Sequence, residues 1–494
     1  MDQTYQQKLQ DYLQVIEDVI AKGKFKDNWE SLAAYPVPKL YQQAKFGVFI
    51  HWGVYSVPAY FSEWYPRLMY YKNNPVYWHH RKKYGKDFNY RDFVPMFRPD
   101  KFDPQDWGRR LKDAGARYIM PVGEHHDGYK MYDSDLSQWT SVKQAPHTDF
   151  LAKIKEECER QHVTFATSSH RAEHFWFLNG GRTVGFANEV QDEKYRDFYG
   201  DAVNVHKHNN LYTLLCQENG IVPTKEWLED WLVHSCKLID RYQPYTLFFD
   251  WWVMHYAFRP YMKKFLAYYY NRSLEWGKEV CVQYKSDAIM YNVGIFDRER
   301  GQLDAVSPYI WQSETSTAYN AWSYCTTNHF KSPAKIAGTF ADVISKNGNF
   351  VLNIGPKADG TLCEEEIYIL DKLAEWTHKN GEAIWGTGPY KIHGEGKKRR
   401  GGSFREKYRY SKRDYRFTYK PNYLYVFAMK PDRTDFTIRT LAYSRDLFAA
   451  EILDICVLGY DVKVSYVRDK RALNIHLDQK IRTDMPIYFR IRIN

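Results

Sequence analysis

Tyr242-Gln243-Pro244-Tyr245-Thr246-Leu247-Phe248-Phe249-Asp250-Trp251-Trp252-Val253 is the stretch that decides the fold. A short apolar run, Leu247 to Phe249, drives into a carboxylate that is followed at once by two tryptophans. Runs of this length between turn signals read as buried parallel strands, being too short for a helix. In an α/β barrel the C-terminal end of such a strand is where side chains meet a substrate. The competing reading makes Asp250 the N-cap of a following helix. A carboxylate walled by aromatic rings suits carbohydrate chemistry, and the surrounding chain has to choose between the two.

Working outward, the same pattern recurs on both sides. Upstream, a strand over 163–168 runs into Ser169-His170-Arg171-Ala172-Glu173-His174, and a strand over 117–122 runs into Glu124-His125-His126-Asp127-Gly128. Earlier still, Lys45-Phe46-Gly47-Val48-Phe49-Ile50 ends in His51-Trp52-Gly53. Downstream, strands are expected over 279–284, 305–311 and 349–354, with helices between them. Helical spacing of apolar residues places helices in the first thirty residues and over 103–114, 149–160 and 225–242. Alternating strands and helices imply a parallel sheet of βα units. Each polar cluster falls at the end of a strand and none at the beginning, which is the arrangement of a (β/α) barrel active site. A doubly wound sheet would carry a glycine fingerprint after its first strand, and the Gly47 and Gly53 region lacks that spacing. The fold class expected is therefore a TIM-like (β/α)8 barrel.

After Trp385-Gly386-Thr387-Gly388-Pro389 the texture changes. A Gly- and Lys/Arg-rich segment from Gly394 to Gly402 leads into short alternating runs over 415–419, 423–429, 436–441, 452–458 and 487–493, joined by turns such as Lys420-Pro421-Asn422. These fit a C-terminal antiparallel β-sandwich, giving a catalytic domain over 1–392 and a sandwich domain over 393–494.

Composition narrows the function classes. The 494 residues include 42 Tyr, 28 Phe and 16 Trp, an aromatic excess that leans toward sugar-ring stacking, although the same rings also fill cores. A net charge of +10 is small for this length. Its only dense basic run, Lys397-Lys398-Arg399-Arg400, is flanked by glycines and reads as a solvated linker, so no nucleic-acid partner is expected. Seven scattered cysteines form no C-x-x-C pair and imply neither disulfide framework nor zinc site. The N-terminus lacks an apolar h-region, so a cytoplasmic protein without a membrane span is expected.

Hydrolysis of a glycoside with retention uses two carboxyl groups about 5–5.5 Å apart, one nucleophile and one acid/base. Asp250 meets the positional demand for one, while Glu63, Glu173 and Glu314 are candidates for the other. His125-His126-Asp127 is no metal site on this reading, because adjacent strand residues point to opposite faces. The histidines read as hydrogen-bonding groups for sugar hydroxyls, and no metal or other cofactor is expected.

Several ordered motifs resemble the α-L-fucosidases of glycoside hydrolase family 29. They are Phe46 to Gly53 with Ser56-Val57-Pro58-Ala59 and Glu63-Trp64-Tyr65, and His125-His126-Asp127-Gly128 with Asp133-Ser134 and Ser137-Gln138-Trp139. Further along come Phe248-Phe249-Asp250, the segment Trp311 to Tyr324, and Asn347-Gly348-Asn349 through Pro356 with Asp359-Gly360. The resemblance implies a retaining exo-glycosidase acting on terminal α-L-fucosidic bonds of oligosaccharides or glycoconjugates, with Asp250 as nucleophile. It also implies His51, Trp64, His125 and His126 as fucose-binding positions, Arg300 as a substrate-contacting arginine with Arg298 as rival, and Trp311 in the binding segment. Many family members carry Trp-Glu where this chain has Trp311-Gln312, with that glutamate as acid/base. Gln312 cannot donate a proton in that role. Glu314, two residues on, is the first choice, Glu63 (also a fucose-proximal position) the second and Glu173 the third. The loop over 180–210 is expected to shape the leaving-group side. The departure at Gln312 leaves one alternative: a fucose-binding protein on the same fold with weak or no catalysis.

Overall fold

The computed structural model describes residues 3–204, 221–397 and 399–494. Its centre is a closed barrel of eight parallel strand positions. The strands are β1 (Phe46–Ile50), β2 (Tyr118–Glu124), the short pieces β3 (Thr164–Phe165) and β4 (Thr167–Ser169) that share one position, β5 (Thr246–Phe249), β6 (Cys281–Tyr284), β7 (Ile295–Glu299), β8 (Trp311–Ser316) and β9 (Gly348–Ile354). Neighbours pair in parallel around the ring, and β1 closes it by pairing with both β2 and β9.

Two-residue periodicity sorts the side chains of each strand. On β5, Leu247 and Phe249 point outward into the layer between barrel and helices, whereas Phe248 points inward. On β1, Phe46, Val48 and Ile50 point outward and Phe49 inward. The inward set, with Tyr41, Tyr118, Met120, Val122, Ile295 and Val351, fills the barrel lumen. The helices start where short polar side chains can satisfy their first N–H groups. Asp103 caps Pro104–Asp113, Asp149 caps Phe150–Gln161, Thr224 caps Lys225–Tyr242 and Ser332 caps Pro333–Ser345. The N-terminal helix, Gln3–Lys22, lies against Lys225–Tyr242 and Arg259–Trp276, with Tyr12 Oη donating to Asp240 at 2.5 Å.

One region departs from the sequence reading. No strand forms over 305–310, and no helix lies between β6 and β7 or between β7 and β8. The strand that follows is Trp311–Ser316, and β7, absent from the sequence reading, stands before it. The shift matters because it places Gln312 and Glu314 inside a strand rather than in the loop beyond one.

The C-terminal part forms two antiparallel sheets. One has the order β10 (Gly388–Glu395), β11 (Tyr415–Lys420), β12 (Tyr423–Ala428), β17 (Ile487–Ile493), β14 (Ile452–Val457); the other is β13 (Asp435–Ile438), β16 (Leu473–Leu477), β15 (Val464–Arg468). β10 crosses residue 392, where the sequence reading placed the change of domain. Alternation on β12 joins the two parts: Leu424 and Val426 face the sandwich core, while Tyr425 and Phe427 belong to the core of the barrel. Tyr488 of β17 packs on Phe427 with ring centroids 3.8 Å apart, and on Trp376 of the helix Glu364–Ile384 at 5.6 Å.

Candidate active site

The ends of the barrel strands converge on a cavity of about 210 Å³. Its walls include His51, Glu63, Trp64, His125, His126, His170, Asp250 and Glu314, with Phe49 and Phe248 as the apolar floor. The strand phase explains the convergence. His51 follows Phe49 by two residues and Asp250 follows Phe248 by two, so each side chain continues the inward row of its strand. After Asp250 the chain turns sharply, with Trp252 in the left-handed region at φ 73°. The turn sends the two tryptophans opposite ways. Trp251 lines the cavity, and Trp252 is buried against Phe175, Trp176 and Phe258.

Asp250 Oδ2 accepts a hydrogen bond from His170 Nδ1 at 3.1 Å. The other ring nitrogen, Nε2, lies 3.1 Å from Ser168 Oγ. A serine hydroxyl donating there fixes the tautomer that carries its proton toward Asp250. Burial alone would raise the Asp250 carboxyl. The hydrogen bond from His170, with the ammonium of Lys285 at 3.9 Å, outweighs it and holds Asp250 below its ordinary value.

Glu314, Glu299 and Asp297 go the opposite way. Glu314, on β8, and Glu299, the last residue of β7, are register partners, and one layer below them Asp297 pairs with Gln312. Lys285, the residue after β6, reaches across with its ammonium to Glu314, to Asp297 at 2.7 Å and to Glu299 at 3.3 Å. One cation cannot compensate four carboxylates, three of them buried. Burial, followed by the charge of Asp297, pushes Glu314 well above the usual carboxylate range. Burial also raises Glu299 and Asp297, against the pull of Lys285. The four neighbouring groups surround an ammonium that they hold charged, well above its ordinary value, despite its own burial.

Three of the four histidines of the wall are kept neutral. Burial and the neighbouring His170 hold His51 far below its ordinary value, and burial with His126 does the same to His125. His126 is lowered to about 3, again mainly by burial. His51 Nδ1 donates to Asn353 Oδ1 at 2.6 Å, which leaves its Nε2 as a lone-pair acceptor. Glu63 accepts from the backbone N–H groups of Trp322 and Ser323 at 2.9 and 3.2 Å, both through Oε2, and so fixes the loop that carries Trp322 over His51.

This is a pocket of one-sugar scale with one carboxyl held below its ordinary value, another held well above it, and hydrogen-bonding imidazoles whose basicity burial lowers. A family model described as Alpha-L-fucosidase matches residues 12–382. The chain belongs to the α-L-fucosidase family. Within this glycoside hydrolase family, the bovine tissue alpha-L-fucosidase is 28% identical over 387 residues, covering 75% of this chain and 74% of the bovine protein. The human tissue alpha-L-fucosidase is 27% identical over 384 residues, with coverage of 75% and 74%. The crystal structure of the Thermotoga maritima alpha-fucosidase superposes with a TM-score of 0.74 at 26% identity, over 94% of this chain and 100% of that one. A family 29 alpha-L-fucosidase from Bacteroides thetaiotaomicron, solved as a trapped covalent intermediate, shares the fold at a TM-score of 0.63 and 15% identity, covering 92% and 95% of the two chains.

Four candidate residues singled out in the sequence stand outside the cavity wall. Arg300 is buried behind it. Its guanidinium donates to the carbonyls of Ala318, Tyr319 and Ala321 and lies 4.5 Å from the ring of Trp322, so it braces that ring. Trp311 sits at the start of β8, buried against Gly348, with its indole N–H on the carbonyl of Lys346. Outward strand phase takes it away from the lumen. Arg298, the rival to Arg300, also points outward, over Phe296. Glu173 is buried behind His126, its Oε2 3.7 Å from Nδ1, and is no part of the wall. Gln312 lies a layer beneath the cavity, where Oε1 accepts from Tyr41 and Gln283 and Nε2 donates to Asp297. The substitution that raised the alternative of a non-catalytic binding protein is therefore in the supporting layer.

His170, Lys285, Glu299, Trp251, Trp322 and Phe404 join the site without having been assigned to it from the sequence. Among the described residues, two groups have ring nitrogens or carboxylate oxygens close enough to share a metal ion: His51, His125 and His170, and His126, His170 and Asp250, each within 4.8 Å. Of the segment over 180–210, residues 205–210 lie outside the described residues. Among the described residues no helix is long and apolar enough to cross a membrane, and Cys158, Cys236, Cys281, Cys325, Cys363 and Cys456 are free thiols.

Proposed function

We propose that this chain cleaves terminal α-L-fucosidic bonds of fucosylated oligosaccharides or glycoconjugates with net retention, using Asp250 as nucleophile and Glu314 as acid/base. The observation that carries the reading is the opposite tuning of two carboxyls in one cavity: Asp250 is held below its ordinary value and Glu314 well above it. Retaining hydrolysis needs that division of labour. Asp250 attacks the anomeric carbon as Glu314 passes its proton to the departing glycosidic oxygen. Glu314, now a carboxylate, takes a proton from water, which displaces Asp250 and releases fucose. His51, His125 and His126, all neutral, with Glu63 and the face of Trp64, hold the sugar hydroxyls and ring. The covalent intermediate trapped in the Bacteroides relative is the kind of species this sequence passes through.

The test is Asp250→Ala. It abolishes release of aryl alcohol from an aryl α-L-fucoside, and added azide restores it with β-L-fucosyl azide as product, since azide enters from the face Asp250 vacates. Wild-type turnover in Asp250→Ala would remove Asp250 from the role. An azide product of α configuration in that variant, a net retention, would mean that another residue makes the first inversion and would likewise remove Asp250 from the role.

A further inference from the structure

A cavity of about 210 Å³ is smaller than the roughly 300–1,000 Å³ of pockets that bury a drug-sized ligand. That is room for one six-membered sugar ring and not for two. Whatever fucose is attached to must therefore lie at the rim. Two aromatic rings stand there. Trp251 follows the proposed nucleophile directly, and Phe404 comes from the segment between β10 and β11; both line the cavity. Their centroids are 6.4 Å apart and their planes differ by 15°. Phe404 is 61% exposed, a large apolar face turned to solvent at the cavity mouth.

A single exposed phenylalanine on a loop is ordinary. This one is held in place. Its backbone N–H donates to the carbonyl of Glu299 at 2.9 Å, and that of Arg405 to Arg300 at 2.9 Å. Just before it, Gly402 and Gln302 exchange backbone hydrogen bonds of 2.8 and 3.3 Å. That approach is so close that a Cβ on Gly301 would meet the Gly402 oxygen at 2.3 Å. Just after it, Glu406 is buried against Arg300 at 3.1 Å and Lys331 at 2.9 Å. Phe404 itself sits in the left-handed region at φ 56°, a conformation that costs a non-glycine residue energy and that the flanking contacts impose. Trp251 is fixed in turn by its indole N–H on Glu299.

These anchors also tell which side of the bond the rings serve. Glu299 holds both, through its side chain and its backbone, and Glu299 is the register partner of Glu314. The acid/base donates to the departing oxygen, so its wall is the leaving-group wall. We propose that Phe404 and Trp251 form the platform for the sugar on the leaving-group side of the scissile bond, with a pyranose C–H face stacked on the exposed ring of Phe404. The proposal rests on the assignment of the cavity to fucose and of Glu314 to the acid. Phe404 lies beyond residues 12–382, the span of the family match, so the platform is a specificity feature supplied by the connection between β10 and β11 of the C-terminal sheet.

The experiment is calorimetric and needs no turnover. Full-length wild type, Phe404→Ala, Phe404→Leu and Phe404→Trp are titrated with L-fucose and with S-linked α-L-fucosyl pyranose disaccharides of the 1,2, 1,3, 1,4 and 1,6 types. The quantity read is the Kd for the best disaccharide divided by the Kd for L-fucose. Removal of the ring in Phe404→Ala and Phe404→Leu raises this ratio roughly tenfold, about 1.4 kcal/mol, and Phe404→Trp keeps it near wild type. Phe404→Leu preserves apolar bulk and a side chain at the strained position, so a change shared by both variants reports the ring. A ratio that stays put in both variants overturns the platform, whether the two affinities are unchanged or fall together. If wild type binds L-fucose while the ratio ignores Phe404, the platform alone fails. If wild type binds neither ligand, the assignment of the cavity to fucose fails and the platform goes with it.

Discussion

Glu299 and Glu314 face each other in the register of β7 and β8, and both carboxylates close on the Nζ of Lys285. Because that ammonium also serves Asp297 and stands 3.9 Å from Asp250, the cluster relieves its excess negative charge by keeping protons. Asp250 has the extra donor, His170, and is the member that ionises first.

As the proposed acid, Glu314 must be protonated for the first step, and its carboxyl is raised. Activity is therefore present below its folded pKa and falls as pH rises through it. Glu314→Gln removes this limb and lowers kcat/KM by about 10²–10⁴ on substrates with poor leaving groups, the range ascribed to general acid catalysis. Fucosides with strongly acidic leaving groups lose much less. Glu314→Ala with azide gives α-L-fucosyl azide, because Asp250 is still present to make the first inversion. Glu63→Ala, by contrast, frees the loop at Trp322 and raises KM without creating an azide product.

His170→Ala takes away the donor on Asp250 Oδ2 and leaves burial to dominate. The Asp250 carboxyl then rises, so the acidic limb of kcat/KM moves to higher pH. A pH profile on an activated aryl fucoside reads this directly. An acidic limb that stays in place would show that His170 does not tune the nucleophile.

What the sequence disclosed and what it hid follow from the same strand geometry. An apolar run ending in a polar residue stands out, and His51, the 125–126 pair and Asp250 were all visible in that way. Phe296-Asp297-Arg298-Glu299 and Trp311-Gln312-Ser313-Glu314-Thr315-Ser316 are polar on both faces, because here the lumen itself is polar. Without hydrophobic alternation a strand has no periodic signature, so the first went unseen and the second was read as lying beyond a strand over 305–311. Lys285 carries no pattern at all. Its importance comes from four carboxylates that are distant in sequence and meet only when the barrel closes. Phe404 is placed by the backbone exchange between Gln302 and Gly402, a pairing across a hundred residues.

Gln312 is where a one-dimensional comparison wants the catalytic glutamate, and the packing predicts what restoring one does. Its Nε2 donates to Asp297 Oδ1 at 2.9 Å in the layer under the cavity, where it is fully buried. Gln312→Glu replaces that donor with an acceptor facing another carboxylate. The expected result is a loss of stability of about 1–3 kcal/mol in denaturant unfolding and no gain in kcat on an aryl α-L-fucoside. A Gln312→Glu variant more active than wild type would move the acid/base one layer down.

Glu366, in the first turn of the helix Glu364–Ile384, ties the ends of β8 and β9 together, and it makes stability depend on pH. Its Oε1 accepts from the N–H of Gly355 at 2.9 Å and the hydroxyl of Thr317 at 2.7 Å, while Oε2 is buried without a partner. Burial raises its carboxyl to about 7. The folded pKa lies above the unfolded one, so the folded chain holds the proton more tightly. Its stabilising contribution is complete below the ordinary carboxylate value and is lost as pH rises through about 7. Fully ionised, the group costs about 3 kcal/mol relative to its protonated form. Glu366→Gln keeps the Oε1 acceptor and cannot ionise. The variant should match wild type near pH 4.5 and exceed it by about 2–3 kcal/mol near pH 8 in urea unfolding. Asp127, also raised by burial to about 7, titrates in both proteins and cancels from the difference. A stability difference that does not grow between the two pH values would mean that Glu366 is ionised in the folded protein throughout.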